Sequence, residues 1–317
     1  VSATPPVRSG SFAEALAAGP LVLDGGLSNQ LADAGHDLSD ELWSARLLAD
    51  DPAAIVRAHL GYYRAGASVA ITASYQASFE GFARRGVGRA EAARLLGRGV
   101  ELAREAARQA EVERPLWVAA SVGPYGAVLA DGSEYRGRYG LSVAELAAFH
   151  RPRLEALAAA GPDVLAVETV PDTDEAEAVL GLLGGVGVPA WLSFSVEGER
   201  TRAGQPLAEA FALAAEVPEV MVVGVNCCTP QDADRAVRIA AEVSGKPVVV
   251  YPNSGERWGE GGWRGEPTFA PPGAAPGGDR ERVAAWLADG ARLVGGCCRV
   301  GETQISGLAA AVRALRG

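Results

Sequence analysis

Eight short runs rich in apolar and β-branched residues recur along this chain at nearly even intervals, and they constrain its fold more than any other feature. They are LVLDG (Leu21 to Gly25), SVAITAS (Ser68 to Ser74), WVAASVG (Trp117 to Gly123), DVLAVET (Asp163 to Thr169), AWLSFSV (Ala190 to Val196), VMVVGVNC (Val220 to Cys227), PVVVYPNS (Pro247 to Ser254) and RLVGGCC (Arg292 to Cys298). Near-continuous apolar runs of this length suit parallel strands buried on both faces. Between them lie alanine- and leucine-rich segments of helical period, from Asp51 to Ala65 onward, and a last one runs from Thr303 to Leu315. Eight strand–helix units predict an α/β fold of the (β/α)8 TIM-barrel type, with functional residues at the C-terminal ends of the strands. A doubly wound open sheet is the competing architecture, but its usual five or six strands fit the count less well. No second domain or internal repeat is apparent, so residues 1–317 read as one barrel domain.

Polar residues and glycines cluster where each run ends, at Asp24-Gly25-Gly26, Thr72 to Gln76, Glu168-Thr169, Asn226-Cys227, Asn253-Ser254 and Gly295 to Cys298. Two stretches after strands read as long loops, Tyr125 to Tyr139 and the Gly/Pro-rich Gly255 to Gly278 with Trp258 and Trp263. Loops of that length are uncommon unless functional, and the second suggests a lid or subunit contact. Trp43 either lines the mouth or packs the rim.

The formal charge of -10, from 39 acidic against 29 basic residues, argues against polyanionic partners. Neither nucleic acid nor an anionic membrane is expected. No window has the length and apolarity of a membrane span, and Val1 to Pro20 lacks the pattern of a secretory leader, so a cytoplasmic location is expected.

Four cysteines in so long a chain do not make a disulfide framework. They fall as two adjacent pairs at two strand ends, Cys227-Cys228 and Cys297-Cys298. Free cysteines are often no more than small buried hydrophobes, yet two pairs at strand ends suit a metal better. Three thiolates from separate strand ends leave a tetrahedral zinc one open position, as catalytic zinc sites have. Adjacent strand residues point to opposite faces, so only one of Cys227 and Cys228 faces the barrel mouth, and the pattern does not choose. Cys297 and Cys298 can share an ion only if the backbone turns, for which Gly295-Gly296 supplies freedom.

Glu168 ends an apolar run, where an unpaired charge is expensive and a bound ammonium would be a partner. Asp24 raises the same question, with Gly25-Gly26 offering backbone N–H groups to an anion. His36, His59 and His150 stand in loop or helical context and read as packing residues.

At these residues the chain closely resembles the homocysteine S-methyltransferase family. The similarity runs through LVLDGG, LWSARLL, AITASYQAS, SVGPYGA, LADGSEYRG, GVNC, VVYPNSGE and GGCCR, and it points to the branch that uses S-methylmethionine. The resemblance implies Zn2+ held by Cys227, Cys297 and Cys298, choosing Cys227 over Cys228. It implies homocysteine contacts at Asp24, Gly25, Gly26 and Glu168, with Asn226 at the mouth or just behind it. The implied reaction is methyl transfer from a sulfonium, S-methylmethionine or else S-adenosylmethionine, to the homocysteine thiol, giving methionine. Ser28-Asn29-Gln30 departs from the family, which more often has a small residue followed by threonine and glutamate. Two other readings are a metal-independent barrel lyase with Glu168 as base and a non-catalytic zinc- or thiol-binding protein. Oligomeric state is not legible.

Overall fold

A computed structural model describes residues 10–38, 42–259, 262–269 and 278–316, with only the backbone of residues 43, 257–259, 262, 263 and 278. The expectations for the side chains of Trp43, Trp258 and Trp263 therefore lie outside the described residues. Among the described residues no helix is long and apolar enough to cross a membrane.

The eight expected runs form one parallel sheet: β1 (Leu21–Val22), β2 (Val69–Ile71), β3 (Trp117–Val122), β4 (Val164–Val170), β5 (Ala190–Phe194), β6 (Val220–Asn226), β7 (Val248–Tyr251) and β8 (Ala291–Val294). Their order is β1-β8-β7-β6-β5-β4-β3-β2, and a parallel bridge between Leu23 and Val69 joins the two ends, so the sheet closes into a barrel. Asp24 N–H donates to Val69 O (3.0 Å) and Ser68 N–H to Val22 O (2.7 Å) across that seam. Eight helices follow the strands in turn: α1 (Pro52–Ala65), α2 (Arg89–Gln109), α3 (Val143–Ala159), α4 (Thr173–Leu183), α5 (Leu207–Ala215), α6 (Pro230–Ser244), α7 (Gly278–Ala288) and α8 (Glu302–Arg316).

Strand alternation divides the core in two. Leu23, Val69, Trp117, Ala119, Val164, Ala166, Trp191, Val222, Val249 and Leu293 fill the barrel, while Val118, Leu165, Leu192, Val223 and Val250 pack outward under the helices. A short helix, Phe12–Ala18, begins with a capping box between Ser11 and Glu14. Its Phe12 and Leu16 join the inner core, Phe12 lying edge-on to Trp117 at 5.8 Å. That plug shuts the N-terminal end, leaving the inward positions at the strands' C-terminal ends for polar residues: Ser121, Glu168, Ser193 and Asn226.

Two expectations need correction. The stretch Tyr125 to Tyr139 is not irregular, since it folds into a helix at Tyr125–Leu129 and a 3-10 turn at Ser133–Tyr135. RLVGGCC is a strand only as far as Val294, so the two cysteines sit in the loop that follows.

Candidate metal and substrate site

Three sulfurs meet over the C-terminal mouth of the barrel. The Sγ atoms of Cys227, Cys297 and Cys298 all lie within 4.8 Å of one another, with Cys227 and Cys298 3.7 Å apart. Bonds of about 2.3 Å at a tetrahedral ion place sulfurs about 3.8 Å apart, so the cluster is already near the spacing such an ion requires. Cys228 is fully buried in the outer core and takes no part.

Local backbone geometry makes this choice. Asn226 points into the barrel, so simple alternation would turn Cys227 outward and Cys228 inward. Instead Cys227 adopts φ +49°, a left-handed conformation rare outside glycine, and its side chain swings to the mouth. Hydrogen bonds on either side hold it there: Cys227 N–H to Tyr251 O (3.3 Å) and Asn253 N–H to Cys228 O (2.9 Å). In the other pair the turn comes not at the glycines but at Arg299, with φ +65°. Gly295 and Gly296 are needed for room, because a Cβ on either would run into Leu23 or Val300. Asn253 Oδ1 accepts from Cys298 N–H (3.1 Å) and Asn29 Oδ1 from Arg299 N–H (2.8 Å). Asn29, within the segment that departs from the family pattern, thus braces the cysteine loop. We expect Asn253→Ala to weaken metal affinity roughly 10- to 100-fold, as loss of an outer support does. Competition against a chromogenic chelator would measure it.

The thiols do not titrate alike. Hydrogen bonds from Cys227 and Cys297 hold Cys298 well below the ordinary thiol value, whereas hydrogen bonding with Cys227 and Cys298, then burial, pushes Cys297 well above it. A divalent cation held between them would favour the ionised form of all three. Tyr135 reaches over the group, its hydroxyl 3.8 Å from Cys227 Sγ.

Glu168 lies beside this centre, almost fully buried. Its carboxylate accepts from Ser121 Oγ and from the Tyr251 hydroxyl (3.0 Å). Burial raises its pKa to about 7 despite those two bonds. Asn226 makes no wall of the cavity: its Oδ1 accepts from Thr169 N–H (2.7 Å) and Ser193 Oγ (2.8 Å), and its Nδ2 donates to Thr169 Oγ1 (2.7 Å). It fixes Thr169, whose φ of +59° interrupts the pairing of β4 with β5 next to Glu168.

Asp24 also stands behind the wall. Its Oδ2 accepts from Ile71 N–H (2.8 Å) and faces His59 Nδ1 at 4.0 Å, while Oδ1 has no hydrogen-bond partner. Burial holds its carboxyl well above the usual range and lowers His59 to about 4. Gly25 and Gly26 do line the cavity. Gly26 N–H is committed to Val300 O (2.9 Å), and a Cβ on Gly25 would collide with that same carbonyl. The free donors on this side are those of the first turn of the helix Leu27–Asp33, which begins at Gly26.

The rest of the lining includes Tyr75, Tyr135, Tyr251, Thr72, Gln76 and Thr169, and among the described residues it holds no lysine, arginine or histidine. Sequence reasoning did not single out the three tyrosines. Tyr251 was findable as an inward position at a strand end, but Tyr75 and Tyr135 belong to loops whose paths only the structure gives. Tyr75 is placed by the fully buried Arg153, which donates to Tyr75 O (3.1 Å), Ala77 O (2.9 Å) and Gly123 O (3.0 Å) and so ties together the loops after β2 and β3.

The sequence profile described as homocysteine S-methyltransferase matches residues 21–312. A homocysteine S-methyltransferase of Escherichia coli is 45% identical over 296 residues, covering 92% of this chain and 94% of that protein. Homocysteine S-methyltransferase 4 of Zea mays is 45% identical over 94% of this chain and 90% of its own length. The metallated form of the homocysteine methyltransferase MmuM from Escherichia coli superposes with a TM-score of 0.80 at 43% identity, covering 92% of this chain and 96% of that one.

Proposed function

The chain belongs to the homocysteine S-methyltransferase family, and from that premise we propose that it transfers a methyl group from a sulfonium to the thiol of homocysteine, using Zn2+ held by Cys227, Cys297 and Cys298. S-Methylmethionine is the donor this reading favours, with S-adenosylmethionine second. The observation that carries it is the trio of sulfurs at the barrel mouth with the spacing of a tetrahedral thiolate site. Bound there, zinc would acidify and orient a substrate thiol at neutral pH, which is what turns a weak nucleophile into a competent one.

The chain's own residues account for the rest. Glu168 supplies the carboxylate for the amino acid's ammonium, and Ser121 and Tyr251 keep that carboxylate aimed. Gly25 and the first turn of the following helix offer N–H groups to the substrate carboxylate, the arrangement that favours anions at helix starts. Asp24 and Asn226 act from behind, Asp24 by pinning the seam between β1 and β2 and Asn226 by setting Thr169. Burial keeps the hydroxyls of Tyr75, Tyr135 and Tyr251 protonated, so all three remain neutral donors. In the transfer the homocysteine sulfur forms its bond to the methyl carbon as the sulfonium S–CH3 bond breaks. That electron pair stays on the departing neutral thioether, so no general acid is required, and the thiol proton goes to solvent.

Assays of homocysteine with S-methylmethionine, S-adenosylmethionine or betaine, on zinc-loaded and chelator-stripped protein, test the proposal. We expect turnover with S-methylmethionine that disappears on stripping and returns with zinc. Undiminished turnover in fully metal-free protein would overturn the zinc mechanism, and full metal loading without transfer from any donor would overturn the activity.

A further inference from the structure

Two buried polar side chains in the cavity wall carry atoms that the site as described leaves unused. Gln76 is 2% exposed and Ser44 6%, and both line the cavity beside the sulfurs. Gln76 Nε2 donates to Ala127 O (3.2 Å), which fixes the amide and leaves Oε1 without a donor among the described residues. The Ser44 hydroxyl has no hydrogen-bond partner among them either. Neither oxygen is sealed inside the protein, and the surface each residue keeps belongs to the cavity wall. Buried polar groups are hydrogen-bonded as a rule, so open ones in a pocket wall point to a ligand.

The fold brings these two residues to the β2 side of the mouth. Gln76 lies in the loop after β2, and Ser44 in the 3-10 turn Trp43–Arg46. Leu42, just before that turn, packs on Gly81, where an added Cβ would come within 2.8 Å of it. Leu48, beyond the turn, meets α2 at Gly99 together with Thr72. Turn and loop therefore form one patch of wall, polar and uncharged. Among the described lining residues the one carboxylate is Glu168. The methyl-transfer reading brings two amino acids to this mouth and gives Glu168 and the Gly25 side to the thiol substrate. In-line transfer sets the donor's chain on the far side of the methyl carbon, so its head group needs other partners.

We propose that Gln76 and Ser44 hold the α-amino acid head group of the methyl donor, Gln76 Oε1 accepting from its ammonium and the Ser44 hydroxyl donating to its carboxylate. The pair thereby selects sulfonium donors that are amino acids. The inference rests on the methyl-transfer reading given above. Neutral partners suit this place on physical grounds. A sulfonium loses its charge in the transition state, so a carboxylate set near it would hold the ground state back. An amide and a hydroxyl match a head group of zero net charge without that penalty.

Steady-state kinetics of the zinc-loaded protein test this, with S-methylmethionine as varied donor and two of its analogues as competitors. Dimethylsulfoniobutanoate lacks the ammonium, and aminopropyl dimethylsulfonium lacks the carboxylate. In Gln76→Met, KM for S-methylmethionine is expected to rise roughly 10- to 100-fold, the scale of a lost hydrogen bond to a charged group. Aminopropyl dimethylsulfonium should weaken with it, and dimethylsulfoniobutanoate should hold. Ser44→Ala should reverse the pattern, weakening S-methylmethionine and dimethylsulfoniobutanoate roughly 10-fold and sparing the decarboxylated analogue. KM for homocysteine should stay put in both variants. An equal loss for all three sulfonium compounds, or a parallel rise in homocysteine KM, is what a merely structural role predicts and overturns the proposal. Should Gln76→Met not fold, Gln76→Asn decides: a smaller loss confined to the compounds that carry an ammonium supports the assignment, and unchanged donor affinity refutes it. With transfer intact in the unsubstituted protein, a wrong pattern overturns this assignment alone. No transfer from any donor would overturn the activity and the assignment with it.

Discussion

Cys227→Ala is expected to abolish zinc retention and methyl transfer together, while Cys228→Ala leaves both in place. The two residues are adjacent, yet one is a wall of the cavity and the other is sealed in the outer core beneath the helices. Losing an outer support of a metal site costs roughly 10- to 100-fold in affinity, and losing a ligand from a set of three should exceed that. Cys228→Ala removes only one buried sulfur and should cost on the order of 1 kcal/mol of stability, like other small truncations in a core. Metal content after dialysis, denaturant titration and turnover separate the two outcomes. If Cys228→Ala lost the metal as well, the four thiols would form a closed cage and the vacancy for substrate would not exist.

Glu168→Gln should give opposite results for stability and binding. The folded-state pKa of this carboxyl is raised to about 7 by burial, from an ordinary value of 4.5. A raised carboxyl pKa means the native state holds the proton more tightly than the unfolded chain does. Stability from this group is therefore full below about pH 4.5 and is lost as pH rises to about 7. The difference amounts to roughly 3 kcal/mol, an upper figure. Glutamine carries no such penalty, so the free variant should gain on the parent protein across that window, less whatever Ser121 and Tyr251 lose in hydrogen bonding. Homocysteine affinity should move the other way. The parent should bind at least 100-fold more tightly than the variant above pH 7, because a buried ammonium would be left without its counter-charge. That ratio should shrink about tenfold for each pH unit below 7 as the carboxylate is protonated. Urea titrations and homocysteine binding over pH 5 to 8 would show both trends. A variant no more stable than its parent at pH 8, or with the same homocysteine affinity, would remove Glu168 from the ammonium site.

Much of this was legible in the chain itself. The spacing of apolar runs gave eight parallel strands and their helices, because strands covered on both faces must be apolar throughout. The placement of cysteines and Glu168 at the ends of those runs marked one end of the barrel as the working end. The closure of β1 onto β2 required only that the count be eight.

What the sequence could not express depends on backbone dihedrals and on contacts between distant segments. A period of two cannot foresee that Cys227 departs from alternation through a left-handed φ, held by bonds to Tyr251 and Asn253. The resemblance made Asp24 a contact and put Asn226 at the mouth or just behind it; the seam bond to Ile71 and the lock on Thr169, which keep both out of the cavity lining, are not written in one dimension. Glu134 lies in LADGSEYRG, within the stretch that reads as a long loop. Its burial follows from how the segment between β3 and α3 folds back over the sulfurs. Periodicity is a property of neighbouring residues and survives in one dimension. The direction of a side chain at a strand's last residue, and the burial of a loop carboxylate, are set by other segments of the chain, and so only the tertiary structure decided them.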